Sequence, residues 1–300
     1  MTTVGYIGLG RMGGGMALNL AKSVSPVYVF DPISEAMKPL LDAGAIACDS
    51  AADIAKKCDL IFMCLPFAPE VRAVMFGPDG IHNVRRNELT IVDTTTLDRT
   101  DAIAICKEAA EVGFTYWDCP ISGMPFRAHD GTLTMMFGGS AEGFAFAKPY
   151  LDHMGEHIIH AGPVGCGQAM KALNNIVYDI NIAAISEVIP LALAVGLDAD
   201  LVAELMTTGS SKSFASEYFV PRMMDRAFHT DFAMEDAYKD IINVQRMRDE
   251  TGALIPVVDA MVKSYQSAMD AGFGREPKSA MIKVYEEKLG VKFIRPDAKD

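Results

Sequence analysis

The first thirty-one residues constrain this chain more tightly than any other stretch. Thr3-Val4-Gly5-Tyr6-Ile7 reads as a short apolar strand, and Gly8-Leu9-Gly10-Arg11-Met12-Gly13 follows it directly. Met16, Leu18, Leu20 and Ala21 then begin a helical pattern, and Val27-Tyr28-Val29-Phe30 is a second apolar run that closes on Asp31. Strand, glycine turn, helix, strand and acid in this order make the βαβ unit that opens a doubly wound parallel sheet and binds a dinucleotide. Gly8 allows the tight turn out of the strand, Gly10 lets the backbone approach a pyrophosphate, and Gly13 lets the helix pack close to the sheet. The helix N-terminus offers free N–H groups and a partial positive charge to phosphates, so Leu9, Arg11 and Met12 join the three glycines as candidate cofactor contacts. Asp31 is placed to accept hydrogen bonds from ribose hydroxyls and to repel a 2′-phosphate, so NAD is expected over NADP. A GxGxxG sequence alone also suits a glycine-rich surface turn; the flanking strands and Asp31 decide between the two.

A chain of 300 residues predicts about two domains, and 50% of its residues are hydrophobic, ample for sizeable cores. The net charge of −12 leaves nothing to neutralise phosphates along a groove, so no nucleic-acid partner is expected. That charge favours solubility and does not argue against a small anionic substrate. The N-terminus lacks a basic region leading into a long apolar core, so no signal peptide is expected. Cys48, Cys58, Cys64, Cys106, Cys119 and Cys166 form no CxxC pair. They read as free thiols in a reducing cytoplasm.

Residues 1 to about 160 alternate strand and helix patterns. The strands are Thr3–Gly8, Val27–Asp31, Leu60–Cys64, Thr90–Asp93, Thr115–Asp118, Thr132–Phe137 and Ile158–His160, with helices such as Ala51–Cys58, Glu70–Met75 and Thr100–Val112 between them. This is an α/β pattern, a mainly parallel doubly wound sheet of Rossmann type. From Gln168 to about Gly196 one long helical pattern takes over. It is apolar enough to raise the question of a membrane span, but Lys171, Asn174, Asn175, Asp179, Asn181 and Glu187 interrupt it and Pro190 should kink its end. A buried interdomain helix is expected and no membrane contact. Beyond Asp198 only helices are read: Ala199–Thr207, Phe214–Met224, Ala233–Thr251, Ile255–Ala271 and Ser279–Leu289, with a frayed tail at Pro296–Asp300. The expected division is a cofactor domain over 1–163 and an all-helical substrate and oligomerisation domain over 164–300.

Several further stretches carry chemistry. Asp118-Cys119-Pro120-Ile121-Ser122-Gly123 follows a strand, where ligands of open α/β sheets lie. Ser122 offers a hydroxyl and Gly123 an unshielded N–H, both suited to a carboxylate, although a proline-glycine turn has the same composition. Gly165-Cys166-Gly167-Gln168-Ala169-Met170-Lys171 opens the long helix, and Lys171 and Asn175, four residues apart, share one face. Among Met170, Ala172, Leu173 and Ile176 the lysine is expected to be partly desolvated, which lowers a lysine pKa toward the range that proton transfer needs. The competing outcome is a lysine that snorkels to solvent. Asp93-Thr94-Thr95-Thr96 ends a strand where the nicotinamide end of the cofactor should lie, and Cys64-Leu65-Pro66 passes the same cofactor. Lys239 and Asp240, far along the chain, read by themselves as helix-surface charges. His153 and His157, four residues apart, could pair on a metal if helical, but Gly155 lies between them, no third ligand accompanies them and His160 falls in a strand, so no metal is expected.

The order of these stretches resembles the β-hydroxyacid dehydrogenase family over roughly residues 3–293. That family includes 3-hydroxyisobutyrate dehydrogenase and tartronate semialdehyde reductase and is related to 6-phosphogluconate dehydrogenase. The resemblance implies that Lys171 is the general acid/base, that Ser122, Gly123 and Asn175 hold substrate, and that Thr96 and Lys239 contact the cofactor. It departs at Met124, where the family's substrate loop has a second glycine, and Pro125-Phe126-Arg127 makes that loop bulkier. Arg127 either adds a positive charge for a second carboxylate or faces solvent. Lys212, within Gly209-Ser210-Ser211-Lys212-Ser213, is a second candidate for binding the substrate anion.

The expected activity is an NAD-dependent interconversion of a small 3-hydroxy acid and its semialdehyde, of the 3-hydroxyisobutyrate or glycerate and tartronate semialdehyde type. Two alternatives are an imine reductase on the same fold, against which Lys171 speaks, and a non-catalytic cofactor-binding protein, against which the Lys171–Asn175 pair speaks. A small carboxylate-bearing substrate, a cytoplasmic location and a homodimer or homotetramer complete the expectation.

Overall fold

The computed structural model describes residues 2–84, 88–229 and 233–295; the side chains of Lys239 and Asp240 and the tail Pro296–Asp300 lie outside the described residues. The chain forms two compact units, Met1–Lys171 and Ala172–Asp300.

The first unit is built on one sheet. Its strands are β1 (Val4–Ile7), β2 (Val27–Phe30), β3 (Ile46–Ala47), β4 (Leu60–Met63), β5 (Thr90–Asp93), β6 (Thr115–Asp118), β7 (Ile121–Ser122), β8 (Leu133–Gly138) and β9 (Gly155–Gly162). The order β3-β2-β1-β4-β5-β6 is parallel throughout, and β8 then runs antiparallel to β6 and β7 and parallel to β9. The sheet is thus mainly parallel, as the strand and helix alternation predicts. The two-residue strands β3 and β7 are too short to carry a periodic signal.

Side-chain alternation along each central strand places apolar groups on both faces. Val4 and Tyr6 of β1, Leu60 and Phe62 of β4 and Val92 of β5 join one core, while Ile7, Ile61, Met63 and Ile91 join the other. Near-continuous apolar runs with helices covering both faces are what a parallel sheet requires. His157 and His160 both lie on β9. The His160 ring stacks on Phe144 and its Nε2 is 2.8 Å from the Gly139 carbonyl oxygen.

The helix Cys166–Ala194 is 29 residues long and continues past Pro190. By length and composition it could cross a membrane. Its acidic residues are instead matched within the second unit: Asp179 accepts hydrogen bonds from Lys278 Nζ and from Tyr265 OH at 3.0 Å, and Glu187 accepts from Ser264 Oγ at 2.6 Å. Ile182, Ile185 and Ile189 enter one helical core of that unit, and Ala172, Ile176 and Ala183 another. The helices Ala199–Thr208, Phe214–Met224, Met234–Thr251, Pro256–Ala268 and Ile282–Leu289 complete it. The helix expected over Ile255–Ala271 begins one residue late, because Pro256 takes the first helical position, and changes geometry after Ala268, before Gly272 at φ +90°.

Candidate functional site

The carboxyl ends of four neighbouring strands stand in register. Ile7 of β1 pairs with Met63 of β4, Met63 with Asp93 of β5, and Asp93 with Asp118 of β6, while Phe30 of β2 flanks Ile7 on the other side. The segments leaving this row emerge side by side: Gly8–Gly13, Asp31, Leu65-Pro66 and Thr94–Thr96. The strand order reverses between β1 and β4, where open α/β sheets form their binding crevice.

The glycine turn has a defined shape. Gly8 has φ +88°, and a Cβ there would stand 2.2 Å from the Cys64 carbonyl oxygen; at Gly13 it would stand 2.0 Å from the Gly8 carbonyl oxygen. Neither position tolerates a side chain. Gly10 meets nothing within 4 Å at its missing Cβ and is exposed, so the open side of the turn is at Gly10. The helix Gly13–Ser23 carries no side-chain cap at its N-terminus. A cradle of bare backbone beside an uncapped helix end fits a pyrophosphate. Asp31, 9% exposed, accepts Leu9 N–H at 2.7 Å and Ile33 N–H at 2.8 Å. A carboxylate has about four acceptor positions, so these bonds leave capacity for ribose hydroxyls.

The β4 and β5 exits are tied together. Leu65 N–H donates to Thr95 Oγ1 at 2.9 Å and Thr94 Oγ1 donates to the Met63 carbonyl at 2.6 Å. Thr95 N–H and Tyr116 OH donate to the two oxygens of Asp93 at 2.9 and 2.8 Å. Burial pushes the Asp93 carboxyl up to about 6 against the opposing pull of these hydrogen bonds. Thr96 and Leu65 are half-buried and Pro66 is exposed.

Asp118 is a second buried carboxyl pushed up to about 6 by burial. Its oxygens accept Gly165 N–H at 2.7 Å and Gln168 N–H at 2.9 Å, so it caps the start of the helix that carries Lys171. Gln168 in turn accepts Leu97 N–H at 3.0 Å and donates to the Thr95 carbonyl at 2.8 Å, bracketing Thr96. Lys171, half-buried, follows Gln168 by three residues in the same helix. Asn175 is one turn further, on the same face as Lys171.

Ser122 and Gly123 extend beyond the strand row. Asp118 faces Gly138, Ile121 faces Met135 and Ser122 faces Thr134, so β6 and β7 keep one antiparallel register along β8 across Pro120. Ser122 thus lies about 13 Å past Asp118 along the chain. Gly123 has φ +141° and its missing Cβ would meet Leu133 Cδ2 at 2.7 Å. Met124 has φ −87°, an ordinary conformation that needs no glycine. Arg127 neither faces open solvent nor projects freely: its guanidinium donates to the Thr132 carbonyl and lies 3.4 Å from Thr132 Oγ1. The short helix Pro125–Asp130 is anchored to the helix after the glycine turn, because Asn19 Nδ2 donates to the carbonyls of Ala128 and His129 at 3.0 Å each.

In the helical unit, Lys212 Nζ is 2.7 Å from Glu217 Oε1 at the surface. Lys239 falls within the helix Met234–Thr251, with its side chain outside the described residues. Burial raises the thiols of Cys64, to about 12, and of Cys119, so these cysteines are packing groups and poor nucleophiles. Among the described residues no group of three or more His, Cys, Asp or Glu is placed to hold a metal ion. The supporting roles of Asp93, Tyr116, Asp118 and Gln168 do not follow from any motif in the sequence. The one signal pointing to them is an aspartate closing each of two adjacent apolar strands.

The family model for the NAD binding domain of 6-phosphogluconate dehydrogenase matches residues 3–162, and that for the NAD-binding region of NADP-dependent 3-hydroxyisobutyrate dehydrogenase matches residues 165–285. The chain is 34% identical to 2-(hydroxymethyl)glutarate dehydrogenase of Eubacterium barkeri over 289 residues, 96% of each chain. It is 39% identical to the probable mitochondrial 3-hydroxyisobutyrate dehydrogenase of Dictyostelium discoideum over 219 residues, 73% of this chain and 68% of that one. A crystal structure of 3-hydroxyisobutyrate dehydrogenase from Salmonella typhimurium matches with a TM-score of 0.84 at 26% identity, covering 95% of this chain and 100% of that one. On these grounds the chain belongs to the β-hydroxyacid dehydrogenase family and is an NAD-binding hydroxyacid dehydrogenase.

Proposed function

We propose that the substrate is a small acid of the form HOCH2–CH(R)–COO⁻ and that Lys171 is the general acid/base for its interconversion with the semialdehyde. The observation that carries this reading is the seating of the Lys171 helix on the strand ends: Asp118 holds Gly165 and Gln168, and Gln168 holds Thr95 and Leu97. A proton-transfer group must sit within hydrogen-bond reach of the proton that it moves, and a helix start fixed at the strand ends supports such a placement. The names of two relatives support the substrate class, since 3-hydroxyisobutyrate and 2-(hydroxymethyl)glutarate share the HOCH2–CH–COO⁻ unit and differ in R.

Ser122 Oγ, Gly123 N–H and Asn175 would hold the carboxylate and the hydroxyl. Gly8 to Gly13, Asp31, Leu65, Pro66, Thr96 and Lys239 would hold NAD, with Asp31 disfavouring a 2′-phosphate. NAD, when bound, supplies the hydride acceptor in oxidation and, reduced, the donor in reduction. Neutral Lys171 takes the hydroxyl proton at Nζ in oxidation, and its ammonium returns that proton in reduction. The wider Met124-Pro125-Phe126 loop beside Gly123 would shape the pocket for R.

Loss of NADH absorbance against methylmalonate semialdehyde, tartronate semialdehyde and a semialdehyde bearing a second carboxylate, with NADPH in parallel, tests the reading. Turnover of at least one of these with NADH is expected. Tight NADH binding without turnover of any of them would contradict it.

A further inference from the structure

We propose that Asp118 and Gln168 are positioning residues for the reaction: together they fix the first turns of the Lys171 helix against the Thr95–Leu97 segment. This inference rests on the assignment of Lys171 as the general acid/base and goes beyond it. The links form an unbroken chain within the sheet unit. Asp118 closes β6, where its register with Asp93 fixes it at the strand ends. Its two oxygens take the N–H groups of Gly165, at 2.7 Å, and of Gln168, at 2.9 Å, two donors that a helix start otherwise leaves unsatisfied. Gln168 spends both ends of its amide on one segment, accepting from Leu97 N–H at 3.0 Å and donating to the Thr95 carbonyl at 2.8 Å. Contact at Gly167 leaves no slack, because a Cβ there would stand 2.3 Å from the Met136 carbonyl oxygen and 2.7 Å from Asp118 Oδ2.

Asp118, Gln168, Thr95 and Leu97 are all nearly or fully buried, at 0%, 1%, 1% and 5% exposure. Burying a carboxylate and a primary amide is costly unless every polar atom is satisfied, and a satisfied network of this kind rigidifies its neighbourhood. The network ends three residues before Lys171, whose reach toward a substrate proton depends on where the helix starts. Misplacement of a reacting group by about 1 Å can cost on the order of a hundredfold in rate.

The test is a double-mutant cycle on the full-length enzyme, using whichever semialdehyde it turns over. Gln168→Met keeps the side chain's length and removes both amide bonds. The expected result is a fall in kcat of at least about tenfold, with NADH affinity by fluorescence titration within about threefold of wild type. In the Lys171→Ala background the same substitution should change the residual kcat by less than about threefold, because residues that act as a unit are non-additive. A loss below tenfold in the otherwise wild-type enzyme would overturn the inference, and so would an equal loss in both backgrounds. Near-wild-type turnover of Lys171→Ala alone would instead overturn the assignment of Lys171. If Gln168→Met does not fold, Gln168→Glu, which keeps the acceptor for Leu97, goes through the same cycle with the same thresholds.

Discussion

The carboxylate of Asp31 holds the backbone N–H of Leu9 at 2.7 Å, so the acid that closes β2 also fixes the glycine turn that closes β1. One side chain therefore shapes the cradle and, in the proposed function, also serves the ribose. Asp31→Asn keeps the shape and one acceptor but removes the charge that would repel a 2′-phosphate. The ratio of kcat/KM with NADH to that with NADPH should fall by about tenfold or more. Stability should drop by about 1–3 kcal/mol, because an amide N–H is set against a backbone N–H. Parallel steady-state assays with both cofactors give the ratio, and an unchanged ratio would remove Asp31 from cofactor discrimination.

Asp93 and Asp118 are neighbours in register, fully buried, and both are pushed up to about 6, chiefly by burial. The Asp118 charge adds to the effect on Asp93. In the unfolded chain an aspartate titrates near 3.9. Between about pH 4 and pH 6 the folded protein therefore binds more protons at these sites than the unfolded chain, and their contribution to stability falls as pH rises through that window. A tenfold difference in proton affinity between the folded and unfolded states is worth about 1.4 kcal/mol, so each site accounts for a few kcal/mol. The pair accounts for less than twice that, because the two carboxyls are coupled. Urea unfolding at pH 4.5 and pH 7 should show this loss in the wild type. Asp93→Asn should reduce the difference between the two pH values by about 2 kcal/mol. Identical pH dependence in both proteins would contradict the account.

The sheet was largely legible because a buried parallel strand is a short unbroken apolar run. Val4–Ile7 and Leu60–Met63 are such runs. Strands of two residues, such as Ile46–Ala47, are not. The glycine turn was legible because Gly8 and Gly13 are required by carbonyl oxygens 2.0–2.2 Å from their missing Cβ atoms. The support beneath the site was not. Asp118 and Gly165 are 47 positions apart, and Gln168 and Leu97 are 71 apart. No local pattern links a donor and an acceptor brought together only by the sheet. Arg127 differs: its partner Thr132 is only five residues on, but the residue types alone do not mark the pair.

Lys278 is a buried cation of the helical unit. Its Nζ donates to Asp179, whose side chain is 0% exposed and also accepts from Tyr265 OH. Lys278→Met leaves that carboxylate without its cation and should cost about 3–5 kcal/mol in chemical denaturation. Asp179→Asn combined with Lys278→Met should cost less than Lys278→Met alone, because no charge is then left buried. A double variant as unstable as the single one, or more so, would show that the ion pair is not the reason for the loss.

The most direct test of the account is the turnover of Lys171→Ala with saturating NADH and the best semialdehyde, set beside its NADH affinity. Turnover should fall by at least about a hundredfold, the lower range of general acid–base assistance, while NADH affinity stays within about threefold of wild type. Turnover close to that of the wild type would contradict the account, because the proton would then be moved by some group other than Lys171.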